Sequence, residues 1–70
     1  MDRQSVRSSN ISSIGYDPES KTLEIEFHNG STYQYFEVPE TVFNNLMGAS
    51  SHGSYFYRYI KDKYQWTKIC

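Results

Sequence analysis

The feature that most constrains this fold is the dipeptide Asn29-Gly30, which lies between two short segments of alternating hydrophobicity. Every second residue of segment 22–27 is apolar, as expected for a strand with one buried face. Asn-Gly favours a type I′ turn because that turn requires positive φ at both central residues. The pattern therefore predicts an antiparallel hairpin whose second strand covers residues 32–38.

The second strand of this hairpin has a mixed pattern. Tyr33 and Tyr35 lie on one face, whereas Phe36 and Val38 lie on the other. Two interpretations stay open: both faces are partly covered, or a bulge reverses the alternation.

A further strand precedes the hairpin. A serine-rich segment carries three apolar residues, Ile11, Ile14 and Tyr16, and this pattern predicts a short strand. The segment 17–21 supplies turn chemistry, because its proline fixes φ and its aspartate caps the backbone. Connections this short cannot form the crossovers that parallel strands need. We therefore expect the three strands to form an antiparallel meander.

Helical spacing replaces alternation after Pro39, a residue suited to the first turn of a helix. The apolar residues on one side of this first helix are Val42, Phe43, Leu46 and Met47. Gly48 is predicted to be the left-handed residue just past the helix end.

A second helix is predicted from about residue 52 to residue 64, capped by Ser50 or Ser51. Its core-facing stripe consists of Phe56, Tyr59, Ile60 and Tyr64. Lys63 conflicts with this stripe, unless its stem extends to solvent or the helix has already begun to unwind there.

The chain length allows one small domain, because 70 residues hold a single hydrophobic core. Residues 1–7 have little apolar character and are predicted to be frayed, with one domain over residues 8–70. The predicted fold class is α+β, with a three-stranded antiparallel β-meander followed by two short α-helices packed on one face (β-β-β-α-α).

Charge is distributed unevenly along the chain, although the net charge is only −1. Residues 1–50 carry three basic and seven acidic residues, whereas residues 51–70 carry four basic residues and one acidic. The total excludes the strongly basic footprint of a typical nucleic-acid-binding domain. Residues 1–50 are therefore an acidic body, and residues 51–70 are a basic C-terminal segment. A mean hydropathy of −0.74 predicts no association with a membrane.

The side chains that usually carry catalysis or metal binding are sparse. The single cysteine, Cys70, has no internal disulfide partner, and no apolar signal sequence opens the chain. We therefore expect a reducing, cytoplasmic location and a free, exposed thiol. His28 and His52 lie in no metal-ligand spacing, and no nucleophile motif is present. These patterns predict no enzyme, no metal and no cofactor.

The order of short motifs along residues 5–64 resembles the KTSC domain family. Those motifs are Ser8-Ser9, Gly15-Tyr16-Asp17, Tyr33-Gln34-Tyr35, Val38-Pro39 and Ala49-Ser50-Ser51-His52-Gly53. The family is named for its occurrence at the C-terminus of some lysyl-tRNA synthetases, and it also occurs as free-standing small bacterial and phage proteins. The resemblance implies a stand-alone member and suggests RNA as a partner.

Three groups of residues are candidates for binding. Tyr33 and Tyr35 are spaced to stack bases on one strand face, or else to pack under the helices. Arg58 and Lys61, bordered by Tyr57, combine cations for phosphates with a ring for bases, although a solvated helix face has the same composition.

The third candidate is the start of the second helix, where His52 and Gly53 lie beside free backbone N–H groups. A phosphate or carboxylate fits such a site, and ordinary helix capping explains the same residues.

Two functions follow from these candidates. The first is a small non-catalytic binding module for single-stranded RNA or a tRNA-associated complex. The alternative is a protein-interaction module that uses a tyrosine-rich surface or an exposed edge strand. Salt dependence separates the two, because phosphate contacts weaken steeply with salt and a tyrosine-centred protein interface does not.

Overall fold

The computed structural model describes all residues, 1–70, and has seven elements in one α+β domain. The elements are β1 (Arg3–Ser5), β2 (Ile11–Asp17), β3 (Thr22–Phe27), β4 (Thr32–Tyr35), α1 (Glu40–Gly48), α2 (His52–Tyr59) and β5 (Trp66–Lys68). The strands form one antiparallel sheet in the order β1-β2-β3-β4-β5. The predicted antiparallel sheet and two helices are confirmed, but the sheet has five strands where the sequence predicted three.

The extra N-terminal strand β1 lies in the segment that the sequence predicted to be frayed. It pairs with β2, with Arg3 opposite Gly15. All three residues of β1 are exposed, so no alternation of hydrophobicity marks it. A Cβ on Gly15 would lie 2.7 Å from the backbone oxygen of Asp2, so the close approach of β1 requires glycine there.

The turn between β3 and β4 differs from the predicted type I′ geometry. Gly30 has a φ of 93°, and Asn29 is not among the residues with positive φ. The N–H of Gly30 donates to the carbonyl of Phe27, and the N–H of Phe27 donates to the carbonyl of Ser31. This is the three-residue loop in which a type I turn is followed by one left-handed glycine. The Asn29 side chain stabilises it by accepting a hydrogen bond from the Ser31 N–H.

The mixed apolar pattern of residues 32–38, the second strand of the predicted hairpin, has a simple cause. Strand β4 ends at Tyr35, and Glu37 takes a left-handed φ of 57°. The chain therefore rotates outside the sheet, which brings Val38 into the core with no exposed surface. The sheet's register shift lies elsewhere, in β2 between Ile11 and Ser13.

Both helices differ from the prediction at their C-terminal boundary: α1 extends one residue further, and α2 ends earlier. Gly48 is the last residue of α1, and the chain beyond it is extended at Ala49, so Gly48 is not the left-handed cap that was predicted. Helix α2 is capped by Ser51, whose hydroxyl accepts a hydrogen bond from the Ser54 N–H. It ends at Tyr59, five residues before the predicted end.

Tertiary pairing explains the early end of α2. The carbonyl of Phe56 accepts hydrogen bonds from both Ile60 and Lys61, and Asp62 then takes a left-handed φ of 63°. The chain beyond this point forms β5, which pairs with β4. Lys63 therefore lies outside the helix, which resolves its conflict with the apolar stripe.

The hydrophobic core lies between the sheet and the helices. Its buried residues are Ile11, Ile14, Leu23, Ile25, Tyr35, Val38, Leu46, Phe56 and Ile60. Phe56 and Ile60 are buried as predicted, whereas Tyr59 is half exposed and packs beside Tyr55. Neither helix is long and apolar enough to cross a membrane.

The opposite face of the sheet carries a network of polar side chains. The Arg3 guanidinium reaches across Gly15 to the Glu24 carboxylate at 2.7 Å. Glu24 also accepts a hydrogen bond from Gln34, and Ser13 donates to Glu26. These contacts link side chains of β1, β2, β3 and β4 across this face of the sheet.

Candidate binding groove

A cavity of about 630 Å³ opens between α2 and the ends of β3, β4 and β5. We call it the aromatic groove. Its lining consists of Ser9, Asn10, Ile11, Phe27, His28, Asn29, Tyr33, Tyr35, Gly53, Phe56, Tyr57, Lys61, Asp62 and Trp66. A concave surface of this size that is lined by aromatic side chains and a few polar groups is typical of a ligand-binding site.

The floor of the groove is a set of five rings, which we call the aromatic floor: Phe27, Tyr33, Tyr35, Phe56 and Trp66. Tyr33 contacts Trp66 edge-to-face with ring centroids 5.5 Å apart, and it contacts Phe27 at 5.8 Å. Phe56 makes similar contacts with Phe27 at 5.4 Å and Tyr35 at 5.5 Å. Edge-to-face pairs restrain one another, so the floor is ordered before any ligand arrives.

Five of the seven residues predicted as binding candidates line this one groove: Tyr33, Tyr35, Gly53, Tyr57 and Lys61. The sequence placed them in separate candidate sites on a strand and on a helix. They meet because Phe56 packs α2 against β4, which puts its neighbour Tyr57 at the rim. Tyr35 is buried and Tyr33 is half-buried, so these rings serve both the core and the cavity wall.

The two remaining candidates, His52 and Arg58, lie outside the groove lining. The Nδ1 atom of His52 is 2.8 Å from the carbonyl oxygen of Leu46, so the imidazole links the start of α2 to the end of α1. Arg58 is exposed on α2 and forms no ion pair, since both ion pairs in the protein involve Arg3.

Charged and polar groups form the rim. The Nζ atom of Lys61 lies 4.5 Å from the centroid of the Tyr57 ring, a cation–π contact that holds the ammonium beside the groove. His28 also lines the groove, and its Nε2 atom is 2.9 Å from the carbonyl oxygen of Ser8, a contact that ties the N-terminal loop to the hairpin. The groove therefore has an aromatic floor, and its lining includes one cation, Lys61, and one carboxylate, Asp62.

The hydroxyl of Tyr35 stays protonated across the physiological range. Burial raises the pKa of Tyr35 to about 12, and the neighbouring Tyr33 and Asp62 add to the increase. No buried side-chain oxygen of the protein lacks a hydrogen-bond partner, so the Tyr35 hydroxyl, which is bonded to no protein group, reaches the cavity.

Sequence reasoning missed several residues of the groove. Phe27 was assigned to the core alone, and His28 and Asn29 to a turn, while Asn10 gave no signal. The alternation of β3 indicates that Phe27 shares a face with the tyrosines across the hairpin, so Phe27 could have been found. Asn10 comes from a distant loop, and only the folded chain brings it here.

The groove shows no arrangement typical of metal binding. No group of three or more His, Cys, Asp or Glu side chains in the protein could hold a metal ion. The lining of the groove offers aromatic rings, hydrogen-bonding groups, one ammonium and one carboxylate.

Comparison with known proteins gives the chain a family. Residues 7–64 match the KTSC domain. A KTSC domain protein from Yersinia pestis with a solved crystal structure is 50% identical, with a TM-score of 0.94, over 99% of this chain and 97% of that one. An uncharacterized protein from Stutzerimonas stutzeri is 41% identical over 99% of both chains.

Longer proteins are also similar to this chain. A lysine–tRNA ligase from Nostoc sp. is 41% identical over 59 residues, which are 84% of this chain and 10% of the ligase. The chain thus corresponds to about a tenth of the ligase's length. The family match covers most of the chain, and the similar crystal structure covers nearly all of it. This chain therefore belongs to the KTSC domain family.

Proposed function

We propose that this protein is a non-catalytic binding module whose aromatic groove takes unstacked bases of single-stranded RNA. The observation that carries the proposal is the aromatic floor, which opens into a cavity of about 630 Å³ with the Lys61 ammonium at its rim. Bases stack on such rings for roughly 1–3 kcal/mol each, and an adjacent lysine contacts the phosphate backbone.

The distribution of charge over the protein supports RNA binding on the side of the groove. The acidic network of Glu24 and Glu26 lies on the opposite face of the sheet, away from the groove. The basic residues of segment 51–70 belong to α2, β5 and the turn between them. The segment that carries the excess of basic residues therefore attracts a polyanion more strongly than the face of Glu24 and Glu26 does.

The relatives support RNA as the ligand class. Similar sequence is part of lysine–tRNA ligases, whose name states that they act on tRNA. The occurrence of similar sequence in ligases of this name supports RNA as the ligand class for this domain. The exposed, unpaired thiol of Cys70 fits a reducing compartment such as the cytoplasm.

The first experiment measures the affinity of the protein for fluorescent single-stranded RNA at several salt concentrations. Lys61→Gln is compared with Arg58→Gln, because each removes one exposed cation from the same region and only Lys61 lines the groove. We expect Lys61→Gln to weaken binding and lower the salt slope by about one, with Arg58→Gln close to wild type. Equal losses in the two variants would place the RNA on the outer face of α2 and contradict the groove.

A protein-interaction function is the second candidate, and the exposed edge strand β5 favours it. Trp66 and Ile69 are about half exposed at this edge, where backbone groups are available for pairing with another chain. A pull-down from a bacterial lysate, with and without RNase, separates the two functions. Retention of one discrete protein after RNase treatment, without RNA affinity at low salt, would favour this second function.

A further inference from the structure

We infer that the aromatic groove prefers RNA bases that carry an exocyclic amino group, and that the carboxylate of Asp62 reads this group. The inference rests on the proposed function and names the ligand class of the same groove. It concerns which base enters, whereas the proposed function concerns whether RNA binds.

Asp62 is the one acidic residue in the groove lining. Both ion pairs of the protein are made by Arg3, so the Asp62 carboxylate has no cationic partner. Its neighbour in sequence, Lys61, places its ammonium over the Tyr57 ring instead. An unpaired carboxylate beside an aromatic floor is therefore free to accept hydrogen bonds from a ligand.

The position of Asp62 is fixed by the backbone. Its left-handed φ of 63° reverses the chain between α2 and β5, and the Phe56 carbonyl holds the preceding turn through the N–H groups of Ile60 and Lys61. The negative charge of Asp62 is also one of the causes that raise the pKa of Tyr35, after burial and Tyr33. Asp62 and Tyr35 both belong to the lining of the groove.

Carboxylates accept hydrogen bonds and donate none, so they discriminate between base edges. Cytosine, adenine and guanine each present an exocyclic amino group, and acidic side chains accept from the cytosine amine in known complexes. Uracil presents one N–H between two carbonyl oxygens, and a carboxylate repels both oxygens. A carboxylate at the groove therefore favours the three amino-bearing bases over uracil.

The negative charge of Asp62 also orients the RNA strand in the groove. A carboxylate repels phosphate, whereas Lys61 attracts it, and both residues line one cavity. The base edge is directed to Asp62 and the phosphate to Lys61. Asp62 would thus contribute to specificity while Lys61 contributes to affinity, as base contacts and phosphate contacts do in general.

The test compares oligocytidylate with oligouridylate, each eight nucleotides long, because the two bases have the same ring size and differ in this edge. Affinities are measured by fluorescence anisotropy with wild type and Asp62→Asn at neutral pH. Asn keeps the side-chain shape and tolerates left-handed φ, so the turn is retained. We expect wild type to bind oligocytidylate about tenfold more tightly and Asp62→Asn to lose this preference.

A matched control separates base reading from plain electrostatics. Glu19→Gln removes one carboxylate from the exposed turn between β2 and β3, outside the groove, and should leave the cytosine preference intact. If Asp62→Asn strengthens both oligonucleotides by the same factor, the carboxylate acts only as a charge and the inference is wrong. Equal wild-type affinities for the two oligonucleotides would overturn the inference and leave RNA binding standing. If neither oligonucleotide binds at low salt, the proposed function itself fails.

Discussion

The two ends of the helix-covered sheet face use aromatic residues in opposite ways. At the end beneath α1, Tyr16 stacks on Phe43 with ring centroids 4.8 Å apart and planes 10° from parallel. The Tyr16 hydroxyl donates to the carbonyl of Val38. At the end beside α2, the aromatic floor borders a cavity of about 630 Å³. We call these the closed end and the open end.

The difference between the ends lies in what covers the rings. Both ends are rich in tyrosine and phenylalanine, and both belong to one antiparallel sheet. In the closed end a helix residue covers the ring and a carbonyl satisfies the hydroxyl, which leaves nothing for a ligand to bind. In the open end the Tyr35 hydroxyl has no hydrogen-bond partner in the protein, and the five rings of the floor line a cavity. Binding capacity therefore follows from incomplete packing and not from aromatic content.

The largest expected effect comes from breaking the closed end at Leu46, which has no exposed surface. Leu46→Ala should lower the free energy of unfolding by about 2–5 kcal/mol, because a buried leucine leaves a cavity when truncated. A domain of this size has only about 3–5 kcal/mol in total, so the variant should be largely unfolded. Chemical denaturation monitored by circular dichroism tests this, and a wild-type midpoint would show that the closed end is not the stabilising core.

Trp66→Ala tests the open end with the next largest effect. Trp66 is about half exposed and contacts Tyr33, so its loss should weaken RNA binding by roughly 1–3 kcal/mol, the contribution of one stacked base. The slope of log affinity against log salt should not change, because a ring displaces no counterions. Tyr59→Ala is the matched control, since Tyr59 is half exposed but lies outside the groove. A similar loss of affinity in both variants would remove the groove as the site.

The hydroxyl of Tyr16 should contribute a smaller, measurable stability at the closed end. Tyr16→Phe keeps the ring against Phe43 but leaves the Val38 carbonyl without its donor. We expect the free energy of unfolding at pH 7 to fall by about 0.5–1.5 kcal/mol. The comparison is Tyr35→Phe, which removes a hydroxyl that no protein group contacts and should change stability little at this pH. Equal losses of unfolding free energy in the two variants would show that both hydroxyls are equally well hydrogen-bonded in the folded protein.

Tyr35→Phe should have its effect only in alkali. The folded protein raises the pKa of Tyr35 from 10.0 to about 12, so folding favours the protonated phenol. The stability linked to this group is complete below pH 10 and is lost as the pH rises from 10 to 12. Urea denaturation at a series of pH values should show a smaller alkaline decline in Tyr35→Phe than in wild type. Parallel declines would mean that the Tyr35 pKa is close to its ordinary value.

Much of the fold could be read from local sequence. The alternation of β3, the apolar spacing of α1 and the pairing of Phe56 with Ile60 all reflect one buried face per element. Strands β1 and β5 could not be found this way, since every residue in them is exposed and neither has a hydrophobic period. Their pairing comes from backbone hydrogen bonds to sheet edges, which any sequence with a suitable neighbour can make.

The candidate groove was predictable in its residue types but not in its assembly. Tyr33, Tyr35, Tyr57 and Lys61 were all found from aromatic and basic spacing, yet on two unrelated surfaces. The helical wheel assigned Arg58 to the same face as Lys61. The early end of α2 moves Lys61 into the turn that follows the helix, and Lys61 lines the groove whereas Arg58 does not.

Periodicity and turn residues act over a few neighbouring positions, so they were enough to predict an antiparallel sheet with two helices. The tertiary structure decided where α2 ends, which strands edge the sheet and which tyrosines remain uncovered. Those outcomes depend on pairing between distant segments, as when β5 takes the edge of β4 and draws Trp66 beside Tyr33. Long-range backbone pairing leaves no local pattern in the chain, so only the folded protein could show the groove.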